Sequence, residues 1–261
     1  MSEQYVLETR NLVKEFKGFV AVDDVNLKIQ KGHIHALIGP NGAGKTTVFN
    51  LLTKFLIPTR GQILFKGQDI TPLKSAAIAR RGIVRSFQIS AVFPHMTALE
   101  NIRVALQTAE NNSYSFWKSG ASLNKLNQRC MELLDSVGLV EFANTTTVEL
   151  AYGRKRALEL ATTLAMEPEL LLLDEPTQGM GGEDVDSVVE LVRKAARGRT
   201  VLMVEHNLGV VSKLCDRITV LAQGAVLTEG EYSEVSADPR VREVYMGTAN
   251  DKASAEREAA E

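Results

Sequence analysis

Three features of the sequence specify an α/β protein with parallel-sheet crossovers. The late runs Leu170–Leu173, Thr200–Glu205 and Arg217–Leu221 are apolar nearly throughout, as strands covered on both faces of a parallel sheet must be. Helical patterns separate them, which implies right-handed crossovers. Third, a glycine-rich loop ending in lysine and threonine sits between a strand-like run, His35–Ile38, and a helical one, Thr46–Lys54. The remaining early strands are expected at Tyr5–Thr9, Val25–Ile29 and Gln62–Phe65, several of them alternating with a period of two.

Between about Thr97 and Ala165 the strand signal disappears. Leu123, Leu126, Cys130, Leu133, Leu134 and Val137 recur at helical spacing and stop at Gly138, giving one apolar stripe with a glycine terminator. This stretch is expected to be a mostly helical lobe inserted in the sheet domain. Asn111–Ser122 is polar with Tyr114, Phe116 and Trp117 embedded, and reads as a surface loop tucking its aromatics onto the lobe rather than as a partner patch. Residues 248–261 are Ala/Glu-rich with little to bury, predicting a disordered tail or a frayed helix. No internal repeat is apparent.

Composition excludes several function classes. The 261 residues are 44% hydrophobic and 24% charged, an ordinary globular balance. A net charge of −2 lacks the basic footprint that nucleic-acid binding requires. Met1 to Arg10 has no apolar core of a secretory signal, and the longest apolar runs are far too short to cross a bilayer. Two cysteines, Cys130 and Cys215, make no disulfide or zinc pattern, fit a reducing cytosol, and are expected as small core residues.

Gly39-Pro40-Asn41-Gly42-Ala43-Gly44-Lys45-Thr46 matches G-x-x-x-x-G-K-[ST] in the strand–loop–helix context that the motif needs. Glycines let the backbone wrap a β-phosphate with successive N–H groups, and the helix N-terminus adds partial positive charge. Lys45 is expected to reach the β- and γ-oxygens, and the Thr46 hydroxyl to ligate Mg²⁺. Residues Gly39 to Thr46, with Thr47 behind them, are therefore the candidate phosphate contacts. Asp174 closes the run of four leucines and should hold the magnesium, while Glu175 should polarise the attacking water; strand C-termini are where open α/β sheets bind ligands. Gln88 and His206 also end strand-like runs, Ile83–Phe87 and Thr200–Glu205. The amide of Gln88 can contact Mg²⁺ or water, and His206 can donate to the γ-phosphate.

These elements, in this order, resemble the nucleotide-binding subunit of ATP-binding-cassette (ABC) transporters. The matching elements are the glycine-lysine loop, Gln88, Leu150–Arg154, Leu170–Glu175 and His206. The resemblance covers roughly residues 5 to 247. It implies a P-loop NTPase fold: a RecA-like mixed sheet core, an antiparallel β subdomain and an inserted helical subdomain at about 89–165, together forming one nucleotide-binding domain over 1–247. It further implies ATP as substrate, Phe16 stacked on adenine with Phe19 as competitor (core packing being the alternative for either), and residues 177–182 as the loop facing an opposite subunit.

Within that family the chain is most similar to the ATPases of branched-chain amino-acid importers. That similarity rests on Gly18-Phe19-Val20-Ala21-Val22-Asp23-Asp24-Val25, Arg85-Ser86-Phe87-Gln88 with Phe93-Pro94, Leu150-Ala151-Tyr152-Gly153, and the ending Asp238 to Gly247. The resemblance implies a cassette peripheral to the cytoplasmic face of the cell membrane. Its implied partners are a second ATPase subunit (a different one or a copy of itself), two transmembrane permease subunits and, indirectly, an external solute-binding protein. Urea, amide or aromatic-acid import and lipid export are the alternative transport systems.

The common family signature, Leu-Ser-Gly-Gly-Gln, is offered by one subunit to the ATP of the other. Here Ala151 replaces the serine, Tyr152 a glycine and Arg154 the glutamine. Ala151, Tyr152 and Gly153 are nonetheless the expected trans contacts, since the helix start still offers backbone donors. Loss of a charge-assisted hydroxyl bond costs roughly 1.5–3 kcal/mol, which weakens the trans contact. Alanine-tyrosine at these places is similar to one of the two ATPases of branched-chain importers, whose partner keeps the common form, and that resemblance implies a heterodimer with two unequal ATP sites. Arg154 reads as solvated on its helix in preference to a phosphate ligand.

Overall fold

The computed structural model describes residues 4–86, 92–109 and 120–245; Gln88, Tyr114, Phe116, Trp117 and the 248–261 tail lie outside them. In chain order the first elements are β1 (Tyr5–Phe16), β2 (Phe19–Val25), β3 (Lys28–Gln30), β4 (Ile34–Ile38), α1 (Lys45–Leu52), β5 (Arg60–Phe65), β6 (Gln68–Asp69), α2 (Ser75–Arg80) and β7 (Ile83–Ser86). Then follow α3 (Ala98–Ala109), α4 (Gly120–Ser136), α5 (Tyr152–Leu164), β8 (Leu170–Asp174), α6 (Gly182–Ala195), β9 (Thr200–Val204), α7 (Leu208–Leu214), β10 (Arg217–Ala222), β11 (Ala225–Gly230) and α8 (Tyr232–Ala237). The chain divides into two compact units, one comprising Met1–Ile78 and Thr200–Glu261, the other Ala79–Arg199.

The first unit carries two sheets. In one, β1 runs between β2 and β5, with β6 beyond β5 and β3 also on β1, every pairing antiparallel. In the other, β4 lies between β10 and β9 in parallel pairing, and β11 adds an antiparallel edge to β10. Four residues of β4 are hydrophobic and all five are buried, as strands covered on both faces require.

The expected single strand Val25–Ile29 is broken. Asp24 takes φ 50°, Asn26 Nδ2 donates to the Asp24 carbonyl at 2.8 Å, and Asn26 Oδ1 receives the Asn11 amide at 2.8 Å. The side chain of Asn26 thus substitutes for a ladder partner and turns the chain. The buried Thr9 hydroxyl spans the gap, donating to the Val25 carbonyl and receiving the Leu27 amide, both at 2.8 Å.

The second unit pairs β7 and β8 in parallel, Ile83 opposite Leu170 through Ser86 opposite Leu173. Its helices follow the sequence pattern. Cys130, Leu133, Leu134 and Val137 of the predicted stripe are buried. Gly138 ends it at φ 71°, its amide bonding the Asp135 carbonyl and that of Leu139 the Leu134 carbonyl, the paired bonds of a Schellman stop. At the start of α3, Thr97 and Glu100 exchange reciprocal side-chain-to-amide bonds, a capping box. Cys215 is only partly buried, and burial pushes its thiol up to about 12.

A polar chain, buried at His35 and Thr219 and open to solvent at Arg217, crosses the sheet. Arg217 Nε donates to Glu229 Oε1 at 2.8 Å, the Thr219 hydroxyl donates to Glu229 Oε2 at 2.9 Å, and His35 Nε2 lies 2.7 Å from the Thr219 oxygen. Because the Thr219 hydrogen is committed to Glu229, His35 must be the donor, which leaves its Nδ1 deprotonated and without a partner among the described residues. Burial lowers the His35 pKa to about 4, against an opposing pull from Glu229. The unfolded chain takes up this proton near 6.5. The neutral side chain's contribution is therefore complete above pH 6.5, declines as the pH falls towards 4, and is constant below that. Urea unfolding of wild type and His35→Gln at pH 7 and pH 4 should show wild type losing about 3 kcal/mol more than the variant across that interval.

Candidate nucleotide site

The loop 39–46 leaves the buried C-terminal end of β4 and starts α1. Two close approaches decide its path. At Gly39, φ 150°, a Cβ would stand 2.2 Å from the Leu221 carbonyl oxygen of β10. At Gly44, φ 97°, it would stand 2.6 Å from the Ala21 carbonyl oxygen of β2. Only glycine satisfies both the space and the left-handed backbone. The loop is further pinned by Gly224, whose amide donates to the Ala43 carbonyl and whose carbonyl receives the Asp23 amide.

Gly44 precedes α1 without any side-chain cap, so the first amides of the helix are not claimed by a side chain and can meet an anion. The Lys45 side chain is buried and curls back over its own loop, donating to the Gly39 carbonyl at 2.7 Å and the Pro40 carbonyl at 2.9 Å. Thr46 is exposed and Thr47 half-buried. A backbone cradle that a Cβ would fill, with a lysine ammonium folded beside it, fits a polyphosphate.

His206 follows β9, whose Val204 lies opposite Leu37 of β4. The structure therefore brings His206 and the start of the loop to the C-terminal ends of neighbouring parallel strands. His206 is exposed. Next to it Asn207 caps α7, accepting from the Gly209 amide at 3.0 Å, and its own amide donates to the buried Glu205 carboxylate at 3.3 Å. Phe16 and Phe19 face each other across the β1–β2 hairpin. They are 40% and 67% exposed, so neither is a core residue, and the Lys14 ammonium lies 4.9 Å from the Phe16 ring centroid. Both thus offer a stacking face. Sequence reasoning met Tyr245 only within the resemblance at Asp238 to Gly247; it lies within helical residues 239–245, and burial pushes its phenol up to about 12, with the neighbouring Gly39 backbone opposing that rise.

In the second unit, Asp174 ends β8 buried, its Oδ2 ion-paired with Nη2 of Arg85 on β7. Sequence reasoning used Arg85 only as part of a resemblance; the pair follows from the β7–β8 register, which sets Arg85 opposite Leu172 and which the sequence does not carry. Glu175 turns the chain at φ 46°, an uncommon conformation for a carboxylate residue and one concentrated at functional sites. Ala151 starts α5 with no side-chain cap, and Tyr152 is half exposed. Gly153 is different from Gly39 and Gly44: among the described residues a Cβ there would meet nothing within 4 Å, and its φ is not positive. Arg154 is exposed, with its guanidinium 3.9 Å from the Phe142 ring centroid; the solvated reading is thus refined to a surface arginine stacked on an aromatic.

The candidate metal donors are a hydroxyl, an amide and a carboxylate, an all-oxygen set suited to magnesium. Among the described residues there is no group of three or more His, Cys, Asp or Glu side chains able to hold a metal.

The family profile described as ABC transporter matches residues 22–178. The chain belongs to the ABC transporter family. A second profile, described as branched-chain amino acid ATP-binding cassette transporter, matches this cassette at residues 225–251. The high-affinity branched-chain amino acid transport ATP-binding protein BraF of Pseudomonas aeruginosa is 39% identical over 252 residues, spanning 94% of this chain and 98% of BraF. LivG of Escherichia coli K12, described in the same words, is 38% identical over 253 residues, spanning 94% and 99%. Among solved structures, an ATP-binding cassette of an ABC transporter in its ADP conformation superposes with a TM-score of 0.81 at 29% identity, covering 93% of this chain and 99% of that one. A dimeric cassette in a post-hydrolysis state with ADP and Pi gives 0.72 at 27% identity, covering 87% and 98%. The fold is that of a P-loop ABC ATPase, and the chain is an ATP-hydrolysing subunit of an ABC transporter.

Gly44→Ala places a methyl group against the Ala21 carbonyl at a left-handed φ. It should lower stability by about 1–3 kcal/mol and abolish ATP binding, as followed by titration with a fluorescent ATP analogue. Nucleotide binding at wild-type affinity would contradict the cradle.

Proposed function

We propose that this cassette powers import of branched-chain or related amino acids, seated peripherally on the cytoplasmic face of the membrane against two permease subunits and paired with a second, non-identical ATPase. An external solute-binding protein would deliver cargo to the permeases. The cargo reading is supported by what BraF and LivG are described as doing and by the match at residues 225–251. Among the described residues no helix is long and apolar enough to cross a membrane, which fits a cassette that relies on separate permeases.

In this reading residues 1–247 are one nucleotide-binding domain with a helical subdomain inserted at about 89–165. The amides of residues 39–46 and Thr47 bind the phosphates, Lys45 exchanges its loop carbonyls for β- and γ-oxygens, and Phe16 stacks on adenine. Thr46, Gln88 and Asp174 would hold Mg²⁺, which when bound neutralises charge on those oxygens. Arg85 orients the Asp174 carboxylate. Glu175 accepts a proton from the attacking water, and His206 donates to the γ-phosphate.

The observation that carries the trans reading is Gly153. Among the described residues nothing gives a steric or conformational reason for a glycine at that position, whereas a nucleotide approaching from another subunit would. Ala151 supplies no hydroxyl to that contact, so the site completed by this signature should turn over more slowly than the site completed by its partner.

Two substitutions test the scheme. Glu175→Gln, co-expressed with the second ATPase subunit, should bind ATP and accumulate as a closed dimer on size exclusion; hydrolysis near the wild-type rate would remove Glu175 from its role. Gly153→Ala should leave the melting temperature unchanged or raised, since alanine is favoured over glycine in a helix by up to about 1 kcal/mol. In the assembled transporter it should cut ATP turnover at least about tenfold.

A further inference from the structure

In the common signature, position 152 is a glycine; here its side chain is engaged on two sides. Tyr152 is 51% exposed, yet its hydroxyl has three partners. Arg156 donates to it through Nη2 at 3.0 Å and Nε at 3.3 Å, and the hydroxyl lies 3.3 Å from the Gln178 carbonyl, to which it donates. Two lone pairs and one hydrogen are thereby used in full.

Arg156 is itself held from below. Its Nη1 donates to Glu159 Oε2 at 2.8 Å, with side chains 16% and 4% exposed, and its guanidinium carbon lies 5.3 Å from the Tyr152 ring centroid. Residues 152, 156 and 159 stand at i, i+4 and i+7, on one face of α5. Arg156 and Glu159 also line a small cavity with Asp174 and Pro176, so the anchor rests beside the residues flanking Glu175. At the other end, Gln178 belongs to the 177–182 loop, and its amide bonds the Glu175 carbonyl.

We infer that Tyr152 is a positioning residue: through Arg156 and Glu159 it clamps the 177–182 loop to the start of α5, so that both segments move as one body. This rests on the reading that the signature and this loop act on a nucleotide held by the partner subunit. A glycine at 152 makes none of these bonds. The Ala151-Tyr152 pair therefore loses a hydroxyl at one position and gains a tether at the next. The loss should weaken the trans contact; the tether should keep the loop ordered before that contact forms.

The test uses Tyr152→Phe, which keeps the ring over Arg156 and removes only the hydroxyl. In the full chain without nucleotide, hydrogen–deuterium exchange of the peptide covering 176–184 should accelerate about three- to tenfold, the range for loss of one hydrogen bond, with the melting temperature unchanged. In the assembled transporter, kcat for ATP should fall about three- to tenfold while KM stays constant, because the phosphate loop is untouched. Arg156→Met combined with Glu159→Met, which leaves neither charge buried alone, should reproduce the faster exchange. Unchanged exchange in Tyr152→Phe overturns the clamp, and faster exchange with unchanged kcat overturns its role in turnover. If Glu175→Gln forms no ATP-bound dimer with the second ATPase subunit while exchange still accelerates in Tyr152→Phe, the trans reading falls and the clamp stands.

Discussion

The nucleotide end of the first unit depends on a steric constraint: the backbone leaving β4 passes two carbonyl oxygens too closely for any side chain. Gly39 lies under the Leu221 carbonyl and Gly44 under that of Ala21. Those contacts come from β10 and β2, one from each of the unit's two sheets, so the loop is positioned by both. Once its course is set, the remaining features follow. Lys45 is buried against its own loop, and α1 begins without a side-chain cap, so its first main-chain amides can meet an anion without rearrangement of a mobile side chain.

The same unit shows how a parallel sheet gathers residues distant in sequence. β4 and β9 are neighbours in register, so the chain exits at Gly39 and His206 lie on one edge although 167 residues apart in sequence. Beside them, His35, Thr219, Glu229 and Arg217 are bonded in series across the sheet, and the His35 nitrogen left over from that series is a lone pair that costs less to bury than a charge.

The second unit applies a different logic to its signature. Alanine at 151, arginine at 154 and tyrosine at 152 each depart from the common form, and each departure has a separate physical outcome. Ala151 leaves the α5 amides uncapped, Arg154 stacks on Phe142, and Tyr152 bonds Arg156 and Gln178. What reads as one degenerate motif is three independent changes, only one of which ties the helix to the loop that follows Glu175.

The sequence by itself determined the α/β class, the strand–loop–helix context of the glycine-lysine motif, the leucine strand ending at Asp174 and the helical stripe ending at Gly138. All of these are local: period, composition and φ preference act within a few residues, so no partner is needed to read them. Tertiary structure decided the break at Asp24–Asn26, where an Asn11 amide competes for the ladder, and the Arg85–Asp174 pair, which exists because β7 and β8 align. It also decided the clamp on Tyr152, whose acceptor lies 26 residues along the chain. Hydrogen bonds and ion pairs reach only about 3 Å, so which groups share that distance is set by packing, and no sequence period encodes it.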